Sequence, residues 1–433
     1  MLTGITLTVF GFLGLWGTPQ PLPSGTPIAW EEAKIFDLPT QPDPVVDEIV
    51  QEYLRDLAAK GYDPEQQGIW MQSEWAYLVE KQAHTPRSAA SLTKVATTLA
   101  ALNQWGLDHR FSTRIYRTGT LADGTLQGDL IIVGGYDPLF VWEEAIALGN
   151  ALNELGIQTI TGNLIITGPM AMNFKREPEL VGSLVTQAWD AKRWSGIITK
   201  QYEAMPPGTP RPQITVQGSI QSVAQPPDNA QLLLTHQSLT LGQLLKQMNI
   251  YSNNEMAEIL AEAVGGAEVV MEKAIQLAKI PPSEIQLKNG SGLAVENRLS
   301  PQAVTLLYRA IQTQLQGTSY TLADLFPVMG RDRKGTLEWR SMPKGLTVKT
   351  GTLNRVSALA GIIPTQERGM VWFSIINSGP NFDRLRAEQD KFLQRLATHW
   401  QILPTDLTPG PNDQIQLGDP GRLVKNTVNP PQS

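Results

Sequence analysis

Ser91 and Lys94 stand three residues apart in the stretch AASLTKVATTLAALNQWG (89–106). Leu92, Val95, Ala96 and Leu99 recur there at helical spacing, and Gly106 supplies a stop. At 100° per residue, positions three apart lie about 60° from each other, so the amine can reach the hydroxyl. A serine hydroxyl is a poor nucleophile until a base takes its proton. A lysine near a helix N-terminus, facing the positive end of the dipole, has its pKa pushed down. The pair can therefore act as nucleophile and base without histidine. Both residues fall at or beyond the margin of the apolar stripe, which leaves them to a second surface. The plainer alternative is a capping serine and a solvated lysine. Another Ser-x-x-Lys, Ser341 to Lys344, contains Pro343 and runs into Gly345, so no helix is expected there and it is read as a chance match.

Two more stretches carry polar groups in restrictive settings. In YSNNEMAEIL (251–260), Ser252-Asn253-Asn254 falls between two helical patterns. Leu241, Leu244, Leu245 and Met248 share a face before it, and Met256, Ile259 and Leu260 share one after it. Ser252 and Asn254 can both project from such a junction, although Ser and Asn also serve there as ordinary caps. In LTVKTGTLNRVSAL (346–359), Leu346 and Val348 alternate with Thr347 and Lys349, the period of a half-buried strand. Gly351 weakens a strand interior unless something approaches the backbone closely. Substrate alongside Lys349-Thr350-Gly351-Thr352 is one reading, and an exposed, bulged edge is the other.

The elements that must position these residues follow from the same patterns. A helix is expected in VVDEIVQEYLRDLAAKG, with Ile49, Leu54 and Leu57 on one side, and strands in GIWMQS and WAYLVEK. Residues 113–235 change to strand-and-turn texture, with a helix in FVWEEAIALGNALNELG and an irregular stretch at 170–213. They read as a separate mixed domain. A hairpin turning at 364–369 and a helix at 382–400 close the folded part. This divides the chain into 1–30, a signal peptide or N-terminal anchor; 31–112 and 236–402, two parts of one core; 113–235, the insert; and 403–433, a Pro/Asn/Asp/Gly-rich tail expected to be disordered.

Composition removes several chemistries. With no cysteine, disulfides, thiol nucleophiles and thiolate metal sites are absent. The four histidines are scattered and no His-Glu-x-x-His occurs, so no metal site is expected. Neither GxGxxG nor GxxxxGK[ST] is present, and no cofactor is expected. A net charge of −6 without a Lys/Arg-rich run argues against nucleic acid as a partner.

Ser-x-x-Lys, then Ser-x-Asn, then Lys-Thr-Gly is the motif order of penicillin-recognising serine enzymes. Over roughly residues 45–400 the chain resembles the D-alanyl-D-alanine carboxypeptidase/endopeptidases of the class C low-molecular-mass penicillin-binding proteins, peptidase family S13. LQGDLIIVGGYDP, LGIQTITGNLIITG, NGSGLAVENRLSP (289–301) and VKTGTLNRVSALAG (348–361) also look like family segments. Asn289 and Asn253 stand where the family usually has Asp, and the insert is shortened.

The resemblance implies an α+β fold: a serine β-lactamase-like core of antiparallel sheet flanked by helices, interrupted by a mixed α/β insert. It implies a serine DD-peptidase of cell-wall peptidoglycan that removes terminal D-Ala, cleaves D-Ala-containing cross-links, or both, with β-lactams as inhibitors. Ser91 would be acylated, Lys94 would take its proton, and Ser252 would relay a proton to the departing amine. Asn254 would hold the acyl-side amide, and the N–H groups of Ser91 and Thr352 would form the oxyanion hole. Lys349 and Thr350 would bind the leaving carboxylate, and Gly351 would clear space for substrate. An exported, periplasmic location follows, with weak membrane association where the N-terminus is retained. The alternatives are a β-lactamase or esterase on the same core, or a catalytically silent peptidoglycan-binding protein.

Overall fold

The computed structural model describes residues 43–426 apart from 333 and 405. The apolar segment at 1–30 lies outside the described residues, as do 427–433. Asp43 caps the first helix by accepting from the Val45 and Val46 N–H groups, and Pro44 takes a position where its missing N–H costs nothing. That helix, α1 (Pro44–Ala59), buries Val46, Val50, Tyr53, Leu54 and Leu57. It packs with the last helix, α10 (Phe382–Trp400), where the Tyr53 and Phe392 rings stack at 4.5 Å.

Both helices cover one face of an antiparallel sheet in the order β15 (Thr347–Leu353), β16 (Val356–Thr365), β17 (Gly369–Ser378), β1 (Gln67–Gln72), β2 (Tyr77–Lys81). Alternation sorts the side chains. Val348, Leu359 and Phe373 join the α1/α10 core, whereas Ala358, Ala360 and Ile376 face the opposite layer. In that layer α2 (Thr93–Trp105) is packed among α6 (Leu241–Tyr251), α7 (Asn254–Val264), α8 (Ala267–Ala278) and α9 (Pro301–Leu315). Helix α2 is buried on every side from Thr93 to Leu102, not along one stripe. Its polar residues are matched accordingly: Thr97 donates to the Gly290 carbonyl at 2.7 Å, and Asn249 donates to Thr98 at 3.2 Å.

Three short strands, β13 (Ile285–Gln286), β14 (Arg298–Leu299) and β3 (Arg87–Ser88), tie the approach to Ser91 to the loop between 286 and 298. Strands between α2 and α6, joined by β18 from the C-terminal segment, build a mixed sheet ordered β11 (Ile220–Ser222), β9 (Leu164–Thr167), β7 (Leu130–Val133), β4 (Ser112–Arg117), β12 (Gln231–Gln237), β18 (Leu423–Lys425). A smaller sheet runs β10 (Thr215–Val216), β8 (Thr159–Ile160), β6 (Thr125–Gln127), β5 (Thr120–Ala122). These strands and α3 (Trp142–Glu154), α4 (Pro178–Trp189) and α5 (Gly196–Glu203) enclose their own core around Ile132, Leu148, Ile166 and Trp189.

Two expectations are corrected here. The stretch 170–213 is not irregular, because it contains α4 and α5. Pro178 starts α4 as a compatible first residue, and Trp189 anchors its end by donating to the Ala145 carbonyl at 3.0 Å. The tail from 403 is not disordered over residues 406–426. Strand β18 pairs with β12, Asn412 is buried, and Arg422 forms a buried ion pair with Glu144. The polar composition that reads as disorder supplies the partners that fix this segment to the folded chain.

Candidate active site

The first motif sits on a constrained turn. Ala90–Leu92 forms a single 3-10 turn that runs into α2, with Ala90 at φ +48°. A non-glycine residue in the left-handed region is held there only by its surroundings. Two glycines supply them. A Cβ on Gly292, itself at φ +83°, would lie 1.9 Å from the Ala90 carbonyl oxygen. A Cβ on Gly351 of β15 would lie 2.7 Å from the Ala89 carbonyl oxygen and 3.1 Å from the Ser91 nitrogen. A side chain on Gly351 would therefore collide with the Ser91 turn, a packing reason for glycine that stands beside the sequence-based one of clearing space for substrate.

Lys94 occupies the centre of the site. Its side chain is fully buried, and Nζ lies 3.0 Å from Ser91 Oγ, 2.8 Å from Asn254 Oδ1 and 2.7 Å from the Ser291 carbonyl oxygen. Burial lowers its pKa to about 7, partly opposed by the nearby Glu258 carboxylate. Desolvation therefore causes the shift, where the sequence pointed to the helix dipole. Glu258 lies one turn beyond Asn254 on α7 and accepts from the Gly290 and Ser291 N–H groups at 3.2 and 3.0 Å. It thereby fixes the carbonyl that receives Lys94.

Glu258 and Ser291 escape sequence reasoning. The i, i+4 spacing from Asn254 could have pointed to Glu258, but Ser291 contributes a backbone atom and has no side-chain signal. Asn289 holds the same loop by accepting from Gly292 N–H at 3.2 Å and donating to Ser291 Oγ at 3.3 Å.

The second motif is placed by two helix ends. Ser252 closes α6 in the left-handed conformation, φ +52°, and Asn253 caps α7 by accepting from Met256 N–H at 3.0 Å. Asn and Asp cap about equally well, so Asn253 performs a role that Asp could also fill. Ser252 Oγ accepts from Lys349 Nζ at 2.9 Å. Lys349 is fully buried and also donates to the Thr350 carbonyl at 2.8 Å. Burial, and secondarily the Lys94 charge, push its pKa well below the usual lysine range.

On β15, Lys349 and Gly351 face the α2 layer. Thr350 and Thr352 point the other way: Thr352 pairs with Ser357, whose hydroxyl donates to Gln389 of α10. Arg386 of α10 donates to Thr352 Oγ1 at 2.7 Å.

Lys94 is thus hydrogen-bonded to Ser91 and Asn254, and Lys349 to Ser252, with Gly351 against the Ser91 turn and Thr350 and Thr352 beside it on the same strand. Ser341, of the other Ser-x-x-Lys, lies apart, and among the described residues no lysine donates to it. Its N–H donates to Asp390 at 2.8 Å. A cleft of about 700 Å³, lined by Tyr62, Arg87, Ser88, Arg298 and Arg355, does not include Ser91. Convergence of polar side chains, rather than cavity size, marks the site. Among the described residues no three His, Asp or Glu side chains converge to hold a metal.

The profile of the D-Ala-D-Ala carboxypeptidase 3 (S13) family matches residues 54–200 and 211–399. The chain belongs to that family. A carboxypeptidase of Mycobacterium tuberculosis is 25% identical over 356 residues, spanning 70% of this chain and 74% of that protein. The D-alanyl-D-alanine carboxypeptidase of Actinomadura sp. strain R39 is 31% identical over 205 residues, 43% of this chain and 38% of its own length. Among solved structures, the penicillin G-acylated predatory endopeptidase of Bdellovibrio bacteriovorus, in complex with an immunity protein, superposes with a TM-score of 0.69 at 21% identity. That match covers 83% of this chain and 99% of that one. The fold is that of the penicillin-binding proteins, and this S13 member is a serine DD-peptidase.

Proposed function

We propose that this serine DD-peptidase acts through an acyl-enzyme on Ser91 and cleaves the peptide bond after the penultimate D-alanine of peptidoglycan stem peptides. The leaving group is a terminal D-Ala or the amino end of a cross-link. The observation that carries this reading is the buried Lys94 amine, 3.0 Å from Ser91 Oγ. With two N–H groups given to Asn254 and Ser291, a neutral amine keeps its lone pair for the Ser91 proton. Ser91 Oγ then attacks the carbonyl carbon, and the backbone N–H groups of Ser91 and Thr352 receive the oxyanion. The proton taken up by Lys94 is relayed through Ser252, itself held by Lys349, to the departing nitrogen as the C–N bond breaks, which leaves Lys94 neutral again. Water completes the cycle by hydrolysing the ester, with Lys94 again as base. Asn254, its oxygen engaged by Lys94, offers its N–H₂ to the acyl-side amide. The Thr350–Thr352 edge of β15 takes up the leaving residue by strand addition.

A β-lactam undergoes the same attack and remains as an ester. A cell-wall substrate also supports export, with the apolar 2–16 segment as signal or anchor and a periplasmic location. We assign residues 113–235 to an inserted domain outside the catalytic set.

Benzylpenicillin treatment followed by mass spectrometry tests the assignment. One penicilloyl group is expected on the peptide containing Ser91, and none in Ser91→Ala. The adduct should persist, and muropeptides should lose D-Ala or their cross-links. Rapid turnover of penicillin would mark a β-lactamase instead. An adduct at Ser341, or none on the folded protein, rejects the reading.

A further inference from the structure

We propose that the cleft of about 700 Å³ bordering β3 is a second, non-catalytic site, which binds an oxyanion (a carboxylate or a phosphate group) through Arg87, Arg298 and Arg355. None of these arginines belongs to the groups assigned to acyl-enzyme formation, and the site stands whether or not that reading holds.

The arginines are gathered without acids to match them. The chain carries a net charge of −6, yet none of the three makes an ion pair among the described residues. Arg87 is the buried member, 7% exposed. Its Nη2 donates to the Glu65 carbonyl at 2.8 Å and approaches Gln82 Oε1 at 3.5 Å. The enclosed Nε finds no acceptor, and Nη1 donates to none among the described residues. A guanidinium keeps its charge at any ordinary pH, so burying one without a counter-ion is costly. Arg298 and Arg355 are exposed, and their side chains have no partner among the described residues. Asp63 and Glu65 also line the cleft, but both are exposed and engaged elsewhere: Asp63 accepts from Glu65 N–H at 3.0 Å, and Glu65 pairs with Lys81 at 3.2 Å. Guanidinium forks suit carboxylates and phosphates, whose oxygens accept two N–H groups side by side.

The three arginines stand on segments that carry the catalytic groups. Arg87 and Ser88 form β3, which leads into the Ser91 turn. Arg298 lies opposite Ser88 on β14, at the end of the loop whose Ser291 carbonyl receives Lys94. Arg355 follows Thr352 in the turn between β15 and β16, and its carbonyl accepts from Gly379 N–H at 2.9 Å. An oxyanion held by all three would join these segments without touching Ser91, which the cleft does not include. Two sources supply such a group: a carboxylate upstream of D-Ala-D-Ala in the peptide being cleaved, or a phosphate on a separate molecule.

Inorganic phosphate, titrated into the full chain by calorimetry at constant ionic strength, is the first probe. Arg298→Ala and Arg355→Ala should each weaken its binding about 5–30-fold. Arg114→Ala, which removes an exposed charge outside the cleft, should not. Circular dichroism checks that each variant is folded. All three positions are exposed, so the buried Arg87 need not be changed. The second probe is a pair of peptides ending in D-Ala-D-Ala, with glutamate or glutamine upstream. A higher kcat/KM for the glutamate peptide that Arg298→Ala abolishes assigns the bound group to the substrate. Equal cleavage of both, with phosphate bound through the cleft, assigns it to a separate phosphate-bearing molecule. The proposal is overturned by phosphate binding that Arg298→Ala and Arg355→Ala leave unchanged, or that Arg114→Ala weakens as much. It is equally overturned by the absence of both phosphate binding and a glutamate preference. A chain that binds phosphate in the cleft but takes no penicillin at Ser91 would remove the acyl-enzyme reading and leave this site standing.

Discussion

Lys94 can accept a proton only while its amine is neutral, and burial makes that form available near pH 7. The sign is fixed by the direction of the shift. Below the lowered pKa the amine is charged and idle, and above it the base is ready. The acylation rate with benzylpenicillin should therefore fall about tenfold per pH unit below about pH 7 and level off above it. Stopped-flow measurement between about pH 5 and about pH 9 reads this directly. A midpoint near the ordinary lysine value would mean that the amine is not desolvated in solution. Lys94→Arg keeps the charge but cannot deprotonate, so acylation should fall by orders of magnitude. Near-normal rates in that variant would leave Lys94 a purely electrostatic role. At this scale the sequence supplies the pair and its reach, because helical geometry is local. It does not supply the shift, because desolvation comes from α7 and the 289–292 loop.

At the scale of elements, the site is made by three close approaches: the Ser91 turn against β15, the 289–292 loop against that turn, and the α6–α7 junction against Lys349. Gly351→Ala tests the first. Its Cβ would sit 2.7 Å from the Ala89 carbonyl, so the strand edge or the turn must move. Overpacking of this kind costs about 1–3 kcal/mol, and a displacement near 1 Å at a reacting group costs about 10²-fold in rate. Penicillin acylation should drop by that order while the urea midpoint falls modestly. An unchanged acylation rate would show that the turn tolerates the methyl group. The motif-bearing elements were legible from periodicity and punctuation, since Leu241 to Met248 and Leu346 to Val348 carry patterns of a single period. The reason for Gly351 was not, because its neighbours are some 260 residues away in the chain.

For the molecule as a whole, the C-terminal segment straps the mixed sheet and the helical layer. Asp413 lies 3.3 Å from Lys246 of α6, and Arg422 pairs with Glu144 of α3 beside His236 of β12. Glu144 is almost fully buried, so removing its partner leaves a carboxylate with reduced compensation. Arg422→Ala should therefore destabilise the protein by about 3–5 kcal/mol in urea unfolding. Lys425→Ala removes a solvent-exposed pair with Glu154 and should cost about 0–1 kcal/mol. Equal, small effects would mean that the segment is not held through Arg422.

The sequence by itself determined the chemistry available to this protein: no thiol, no clustered histidines, and three short motifs whose order and setting point to a lysine-activated serine. Those are properties of residue type and of spacing within single elements, which the chain carries wherever it folds. Tertiary structure decided which groups act on one another. It brought Ser291 and Glu258 to Lys94, turned Lys349 inward to Ser252, and placed Arg386 on Thr352. It also ordered the polar segment 406–426, which composition alone marked as unfolded. Each of these joins residues distant in the chain, and such contacts depend on burial and on the alternation of β15 within a packed sheet, which no local pattern encodes.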